Sequence, residues 1–531
     1  MSPSPLAAPR RPSRGAHKLP GAVQPPSGHK WWTLLAVSIA TFMLLLDVTV
    51  VNVALPDIQT ELGSSFNELR WVIDAYALTL AATMLIFGSV ADRVGRRRVF
   101  TIGLTLFSLS SLACGLAWSP VALDVLRGVQ GFGGAAMLAT SLALLAAAYS
   151  GRDRNTAFAV WGASTAAAVA IGPLVGGALV EGINWESIFF VNVPIGLLTA
   201  MLVARGVPES RDTSATGRLD LAGLITGAGA MALLVLALFR GNDEGWGSAL
   251  ILGLFGGAAA LLLAFILIER RADQPQLDLG LFRRPTTAGA SLGILAIAIS
   301  VFAMLTYLVF YIQNALGYSP FETGLRLFPL TVASFFCAAA AGRLADRVPV
   351  RFLIAAGLIL AGLGLLLTRR IDPSSDWTAL LLGGVFIGAG AGTVNPSVAA
   401  AALGAAPVAK SGMASGLNST FRLLGVAIGV AALGALLEGR VTDRLGELLP
   451  DAPNGLADVV STGNVAAASN AAPPASQEQV ATAAKDAFVY GMDAILLAAA
   501  LIAFAGAALV LLLVRQRDLV SAHSTEAPAA G

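Results

Sequence analysis

Ionisable side chains standing inside long apolar runs are the residues of this sequence with the clearest chemistry. Asp47 sits between Leu44-Leu45-Leu46 and Val48, Asp74 follows Trp71-Val72-Ile73, and Arg127 follows Val125-Leu126. A charge so placed costs about 2.5–3.5 kcal/mol on membrane-insertion scales, so each needs a reason to be there. The chemistry on offer is proton binding and release. Apolar surroundings favour the neutral acid, whereas a neighbouring guanidinium favours the carboxylate. A geometry that brings Arg127 to Asp47 and then withdraws it would unload and load a proton. A static pair holding helices in register fits the same residues. Asp124, one helical turn before Arg127, is a second possible partner for that arginine. Asp74 either shares the proton work or reaches towards the headgroups. Asn52 and Gln130 are amides in the same runs that could line a cavity. Arg422 lies in another apolar run with no acid near it in sequence, and must face a cavity or a partner.

The elements that position these groups are helices in lipid. Of the 531 residues, 56% are hydrophobic and only 12% charged, about half the charged fraction of a soluble domain. Runs of about twenty apolar residues, enough to cross a bilayer core of about 30 Å, fall near 33–55, 70–90, 99–118, 121–147, 156–180, 187–204, 219–239 and 248–268. Six more fall near 286–313, 321–342, 351–369, 377–404, 413–437 and 488–514. The expectation is an all-α integral membrane protein of fourteen transmembrane helices. Most of its 34 Lys and Arg fall in the inner loops if both termini are cytoplasmic, as the positive-inside rule requires. At about 1.5 Å per residue, Asp47 lies roughly 12 Å, Asp74 roughly 8 Å and Arg127 roughly 9 Å below the outer ends of their spans. All three occupy one layer. Residues 1–30 and 515–531 are expected as cytoplasmic tails, the first disordered and without the features of a signal peptide. Residues 438–486, rich in Ala, Asn, Pro and Ser, are expected as a flexible external loop.

The chain repeats itself. Gly88-Ser89-Val90-Ala91-Asp92-Arg93-Val94-Gly95-Arg96-Arg97 follows the second span, and Gly342-Arg343-Leu344-Ala345-Asp346-Arg347-Val348-Pro349-Val350-Arg351 follows the tenth, with six of ten positions identical. Both fall on the inner side and at a similar offset into their group of spans. The simplest account is a six-helix repeat over 31–205, a second over 286–514, and an inserted hairpin of spans seven and eight over 206–285. Parallel repeats of this kind place a substrate site at their interface near mid-membrane.

Motifs add to this frame. Arg96 to Arg98 alone would be a positive-inside anchor. Gly88 and Gly95 around them permit a tight, closely packed turn, and Asp92 can bond a neighbouring helix end. Gly172-Pro173-Leu174-Val175-Gly176-Gly177 gives span five a missing backbone bond and a smooth face. With Leu46-Asp47-Val48-Thr49-Val50-Val51-Asn52 in span one and Arg127-Gly128-Val129-Gln130-Gly131 in span four, the chain resembles the major facilitator superfamily, and within it the fourteen-spanner drug:proton antiporters. That resemblance implies a proton-coupling set of Asp47, Arg127 and Asp74. It also implies a conformational latch of Gly88, Asp92, Arg93, Gly95 and Arg96, and an antiporter motif of Gly172, Pro173, Gly176 and Gly177. Glu186 and Ser187 depart from the family pattern, which has Arg and Trp there.

Other classes are disfavoured. All three histidines, His17, His29 and His523, lie in the tails, and Cys114 and Cys337 stand alone in apolar runs. No metal spacing, cofactor motif or hydrolase constellation follows from them. There is no phosphate-binding Gly-x-x-x-x-Gly-Lys loop, and a net charge of +2 suggests no nucleic-acid partner. The expected partners are a small-molecule substrate, protons and the lipid bilayer, with the protein acting as a monomer in a bacterial plasma membrane. The leading expectation is proton-driven efflux of a hydrophobic drug or antibiotic. A facilitator or importer of a polar metabolite on the same fold is the alternative.

Overall fold

A computed structural model of the chain describes residues 30–63, 66–211, 220–272, 275, 277–345, 347–407, 410–450, 455–474 and 476–518. The expected tails, the stretch 212–219 near the start of the expected 206–285 insertion and Asp346 lie wholly or largely outside these. Among the described residues all regular structure is helical, as backbone with no water to bond it requires.

The helices are α1 (Lys30–Leu62), α2 (Phe66–Val94), α3 (Arg96–Cys114), α4 (Pro120–Ala148), α5 (Gly151–Gly182), α6 (Ser187–Gly206), α7 (Leu221–Glu244) and α8 (Ala249–Glu269). They continue with α9 (Pro285–Ala315), α10 (Pro320–Leu344), α11 (Val350–Thr368), α12 (Ala379–Gly404), α13 (Ser411–Leu448), the short α14 (Leu456–Ser461) and α15 (Val465–Asn470), and α16 (Gln477–Leu513). Twelve of them are long and apolar enough to cross a membrane, α3 and α5 not being counted. Three arginines open α3 and serines 108, 110 and 111 follow, which lowers its apolarity without shortening it. Side-chain caps start several helices where the sequence offers them. The Ser119 hydroxyl accepts from Ala122 N at 3.2 Å, and Ser319 and Glu322 form a reciprocal box at the head of α10.

Glycine seams bring the helices together in matching pairs. A Cβ on Gly103 of α3 would meet Ala136 of α4 at 2.6 Å, and one on Gly357 of α11 would meet Gly390 O of α12 at 2.9 Å. Gly131 of α4 lies against Tyr76 O of α2, as Gly388 of α12 lies against Leu330 O of α10. Gly172 and Gly176 of α5 face Thr49 and Val50 of α1, as Gly425 and Gly429 of α13 face Ala298 and Ile299 of α9. Each pair recurs eight helices later. Between the halves, α5 packs along α10 and α2 along α13. Helices α7 and α8 pack on each other, and α7 rests on α2 and α13. Only 22% and 17% of their most apolar stretches are buried, against 39% or more in the other spans, so their outer faces are left to lipid.

One expectation is corrected. Residues 438–486 are not a structureless loop. Helix α13 runs on to Leu448, α16 begins at Gln477, and α14 and α15 lie between them. The reason is burial: Leu456, Val460, Ala468, Val480 and Ala484 belong to the core of the second half, and Asn314 Nδ2 donates to Thr462 O at 2.7 Å. The composition is small and polar, yet apolar residues recur often enough to dock. Helix α1 itself continues past Leu55 to Leu62, while its membrane-crossing apolar stretch ends at Leu55, as the expected span does.

Candidate functional site

Asp47 and Arg127, eighty positions apart, are in contact: Arg127 Nη1 donates to Asp47 Oδ2 at 2.7 Å. The same nitrogen donates to Gln130 Oε1 at 2.8 Å, and Arg127 Nε donates to Val72 O at 3.0 Å. Asp47 Oδ1 accepts from Gln130 Nε2 at 2.9 Å and from Asn192 Nδ2 at 2.8 Å. The guanidinium lies 4.1 Å from the Tyr76 ring centroid and 5.7 Å from that of Phe189. Asp47, Arg127, Gln130 and Asn192 are all 2% exposed or less. A buried carboxylate of this kind is tolerable only because every lone pair in use meets a donor and a full opposite charge stands beside it.

Four helices build this knot: α1 brings Asp47, α4 brings Arg127 and Gln130 one turn apart, α2 brings Val72 O and Tyr76, and α6 brings Asn192. Gly131 lets α4 approach α2 closely enough for the contact. Asn192 escaped the sequence reading, although an amide inside the apolar run of α6 was a signal for it. Its Oδ1 and the Tyr76 hydroxyl are buried and, among the described residues, make no hydrogen bond. They are places where a rearranged network could find new partners. Among the described residues, Asp74 and Asp124 are not bonded to Asp47, and neither is bonded to Arg127. Asn52 is exposed and its amide donates back to Val48 O at 3.3 Å.

The loop residues converge at another place. Asp92 Oδ1 accepts from Gly412 N and Oδ2 from Met413 N, both at 2.8 Å, which puts a carboxylate on the N-terminus of α13. Arg96 Nη2 and Nε donate to Asp92 Oδ1 at 2.7 and 2.9 Å. Gly88 fits here because a Cβ would lie 2.6 Å from Gly412 O. Gly95 has φ 126 and is wedged against the Glu209 carboxylate, which accepts from Arg97 N and Arg98 N. Arg93 is half-buried beside this group. Asp92 thus joins α2 of the first half to α13 of the second. Close by, the Lys410 ammonium at 2.7 Å from Asp278 Oδ2 holds that carboxyl below the usual carboxylate range.

In α5, a Cβ at Gly172 would fall 1.8 Å from Thr49 Oγ1, and one at Gly176 would fall 3.2 Å from Val53. Gly177 is buried, and the side chain of Pro173 lies outside the described residues. The motif is therefore the seam by which α5 packs against α1, the helix that carries Asp47. Trp185 Nε1 donates to Glu61 Oε2 at 2.9 Å, closing the α5–α6 turn where Glu186 and Ser187 stand. Glu322 pairs loosely with Arg326 at 3.9 Å, while the guanidinium stacks 3.4 Å over Tyr318.

Two halves of apolar helices, joined by glycine seams and enclosing charged side chains in their interior, are the build of a multi-pass membrane transporter. The chain belongs to the Major Facilitator Superfamily, whose family model matches residues 37–310 and 290–441. It is similar to the multidrug resistance protein Stp of Mycobacterium tuberculosis, 38% identical over 407 residues, which cover 76% of this chain and 75% of that one. It is also similar to the tetracenomycin C resistance and export protein of Streptomyces glaucescens (33% identical, 80% and 78% covered). A third relative is the puromycin resistance protein pur8 of Streptomyces alboniger (36% identical, 79% and 84% covered). Among solved structures, the human organic anion transporter MFSD10 matches with TM-score 0.59 at 15% identity, over 90% of this chain and 100% of that one, and so shares the fold.

Proposed function

We propose that this protein is a proton-coupled antiporter that exports a hydrophobic drug or antibiotic across a bacterial plasma membrane. The observation that carries the reading is the buried Asp47, bonded at once to Arg127, Gln130 and Asn192. The names of relatives that confer resistance to tetracenomycin C and puromycin support the direction and the class of cargo. In the proposed cycle a proton from outside neutralises Asp47 and frees Arg127. Helices α1, α2, α4 and α6 then shift, substrate leaves outward, and the proton leaves inward as the pair re-forms. Asp92, with Gly88, Arg93, Gly95 and Arg96, latches the inner end through α13. The Gly172–Gly177 seam lets α5 move against α1. Asp74 is the reserve carboxylate.

The architecture proposed for this work has fourteen spans: two six-helix repeats, α1–α6 and α9–α13 with α16, and a peripheral hairpin of α7 and α8. The recurrence of the glycine seams eight helices apart supports it. Both termini are cytoplasmic and the protein acts as a monomer. In a Cys337→Ser background, with Cys114 buried, a cysteine at exposed Asn470 should react with a membrane-impermeant maleimide on intact cells. An Arg98→Cys variant, altered at an exposed position, should react only after lysis. The reverse pattern overturns the topology.

The function itself is tested by a susceptibility panel of chemically diverse toxic compounds, with and without expression. Expressing cells should tolerate several of them at about tenfold higher concentration, a factor worth about 1.4 kcal/mol of effective exclusion. The advantage should vanish with a protonophore. Equal susceptibility across the panel would refute export of a toxic compound.

A further inference from the structure

We infer that the cargo of this transporter includes compounds bearing a carboxylate or comparable anionic group, which Arg422 receives in the seam between the halves; the inference rests on the efflux reading above. Among the described residues three arginines are buried to 5% exposure or less: Arg96, Arg127 and Arg422. The protein gives the first an acid in Asp92 and the second an acid in Asp47. It gives Arg422 none. Among the described residues no carboxylate lies within ion-pair distance of it, and its Nη2 is buried without a hydrogen-bond partner. The one charge-related contact is the Trp161 ring of α5, whose centroid is 5.6 Å from the guanidinium carbon. A single ring face at the limit of cation–π range returns less than it costs to strip an arginine of water.

What surrounds it points to an anion. Asn395 of α12 is 3% exposed, and its Nδ2 is likewise buried without an acceptor. A Cβ on Gly162, the residue after Trp161, would meet Asn395 Cβ at 3.7 Å and Pro396 Cδ at 3.3 Å. Arg422 and Asn395 therefore flank the same stretch of α5 from two helices of the second half. Ser415 and Ser419 stand seven and three residues before Arg422 on α13, on its side of the helix, and both hydroxyls are buried and unpartnered. Guanidinium, amide N–H and hydroxyl are a donor set, and an ionised acid is an acceptor-only group that pairs with a guanidinium through two parallel bonds. A cation would meet repulsion here. The site is also connected to the coupling helix: Trp161 Nε1 donates to Thr41 Oγ1 of α1 at 3.1 Å, so filling it bears on the helix that carries Asp47.

The probes are 1-pyrenebutyric acid, whose carboxylate is ionised at neutral pH, and its methyl ester, which carries no ionisable group. ATP-energised everted vesicles containing the wild type should take up the acid about tenfold faster than the ester, as a charge-assisted hydrogen bond gained or lost implies. Arg422→Gln should erase the preference while still moving the ester, and Arg422→Lys should keep part of it. Purified Arg422→Gln protein should melt no lower than wild type, because it sheds an unpaired charge. The inference falls if wild type moves the ester as fast as the acid, if it moves neither, or if Arg422→Gln keeps the preference. It falls too if Arg422→Gln melts well below wild type and loses both probes, which makes Arg422 structural. Ester uptake that a protonophore abolishes would leave the efflux reading standing even then, whereas failure of the susceptibility panel would remove that reading separately.

Discussion

Asp47→Asn should leave everted vesicles unable to accumulate substrate against its gradient. Each proton that crosses a membrane at about 100 mV carries roughly 2.3 kcal/mol, enough for an accumulation ratio of about fiftyfold when 1.4 kcal/mol is a factor of ten. Without a titrating group at position 47 the ratio should fall to about one, while exchange of substrate down its gradient continues. The structure sharpens how this result must be read. Asparagine is the same size but cannot accept from Arg127, Gln130 and Asn192 together, and it leaves a guanidinium at 1% exposure without an anion. Removing one partner of a buried pair costs about 3–5 kcal/mol, so the single variant should also melt lower. The amides of Gln130 and Asn192 can turn over to meet the new side chain, which softens the penalty but does not remove the orphan charge.

Pairing the change with Arg127→Gln removes the unpaired cation. The double variant should regain thermal stability and still fail to accumulate substrate. That combination separates a proton carrier from a structural ion pair, because a purely structural Asp47 would recover transport along with stability. If Asp47→Asn vesicles accumulate substrate with a normal pH dependence, Asp47 is structural and Asp74 becomes the carboxylate to test.

Charge in apolar runs was legible from residue types alone, and that is why Asp47, Arg127 and Arg422 stand out in the sequence before any helix is packed. Contact was not. Asp47 and Arg127 share a layer by depth, but so do Asp74 and Asp124, and only the crossing of α1, α2 and α4 selects between them. Asn192 shows the same limit, because one amide in an apolar helix is common and its value comes from ending opposite Asp47 Oδ1. The repeat was readable from the loops after α2 and α10, yet its structural expression lies in glycines such as Gly131 and Gly388, which share only a Gly-x-Gly with Gly133 and Gly390, too common a pattern in membrane helices to mark a repeat. The segment 438–486 misled because its docking residues, Leu456, Val460, Ala468, Val480 and Ala484, are spread over two short helices and a helix end, where no run is long enough to show a period.

Asp92→Ala should tip the protein towards the conformation in which the inner end is open. The substitution strands Gly412 N and Met413 N, which donate to Asp92 at 2.8 Å each, and leaves Arg96 without its acid. Two orphaned donors cost about 1–3 kcal/mol apiece while they stay buried, and water satisfies them once α2 and α13 part. The bias is comparable to the 5.5 kcal/mol or so that inverts a population from 1:99 to 99:1. Spin labels at Val94 of α2 and Leu344 of α10, both exposed and on opposite halves, should therefore report a longer distance than in wild type, and efflux should fall steeply. Asp92→Asn keeps one acceptor oxygen and should lie between. Gly412→Ala offers an independent route to the same state. Its Cβ would sit 2.3 Å from Asp92 Oδ1 and 2.6 Å from Gly88 O, so it pries the seam open with every charge in place. If charge alone mattered, as for a positive-inside anchor, Gly412→Ala would behave as wild type. If both variants keep the wild-type distance and transport normally, Asp92 caps a helix and gates nothing.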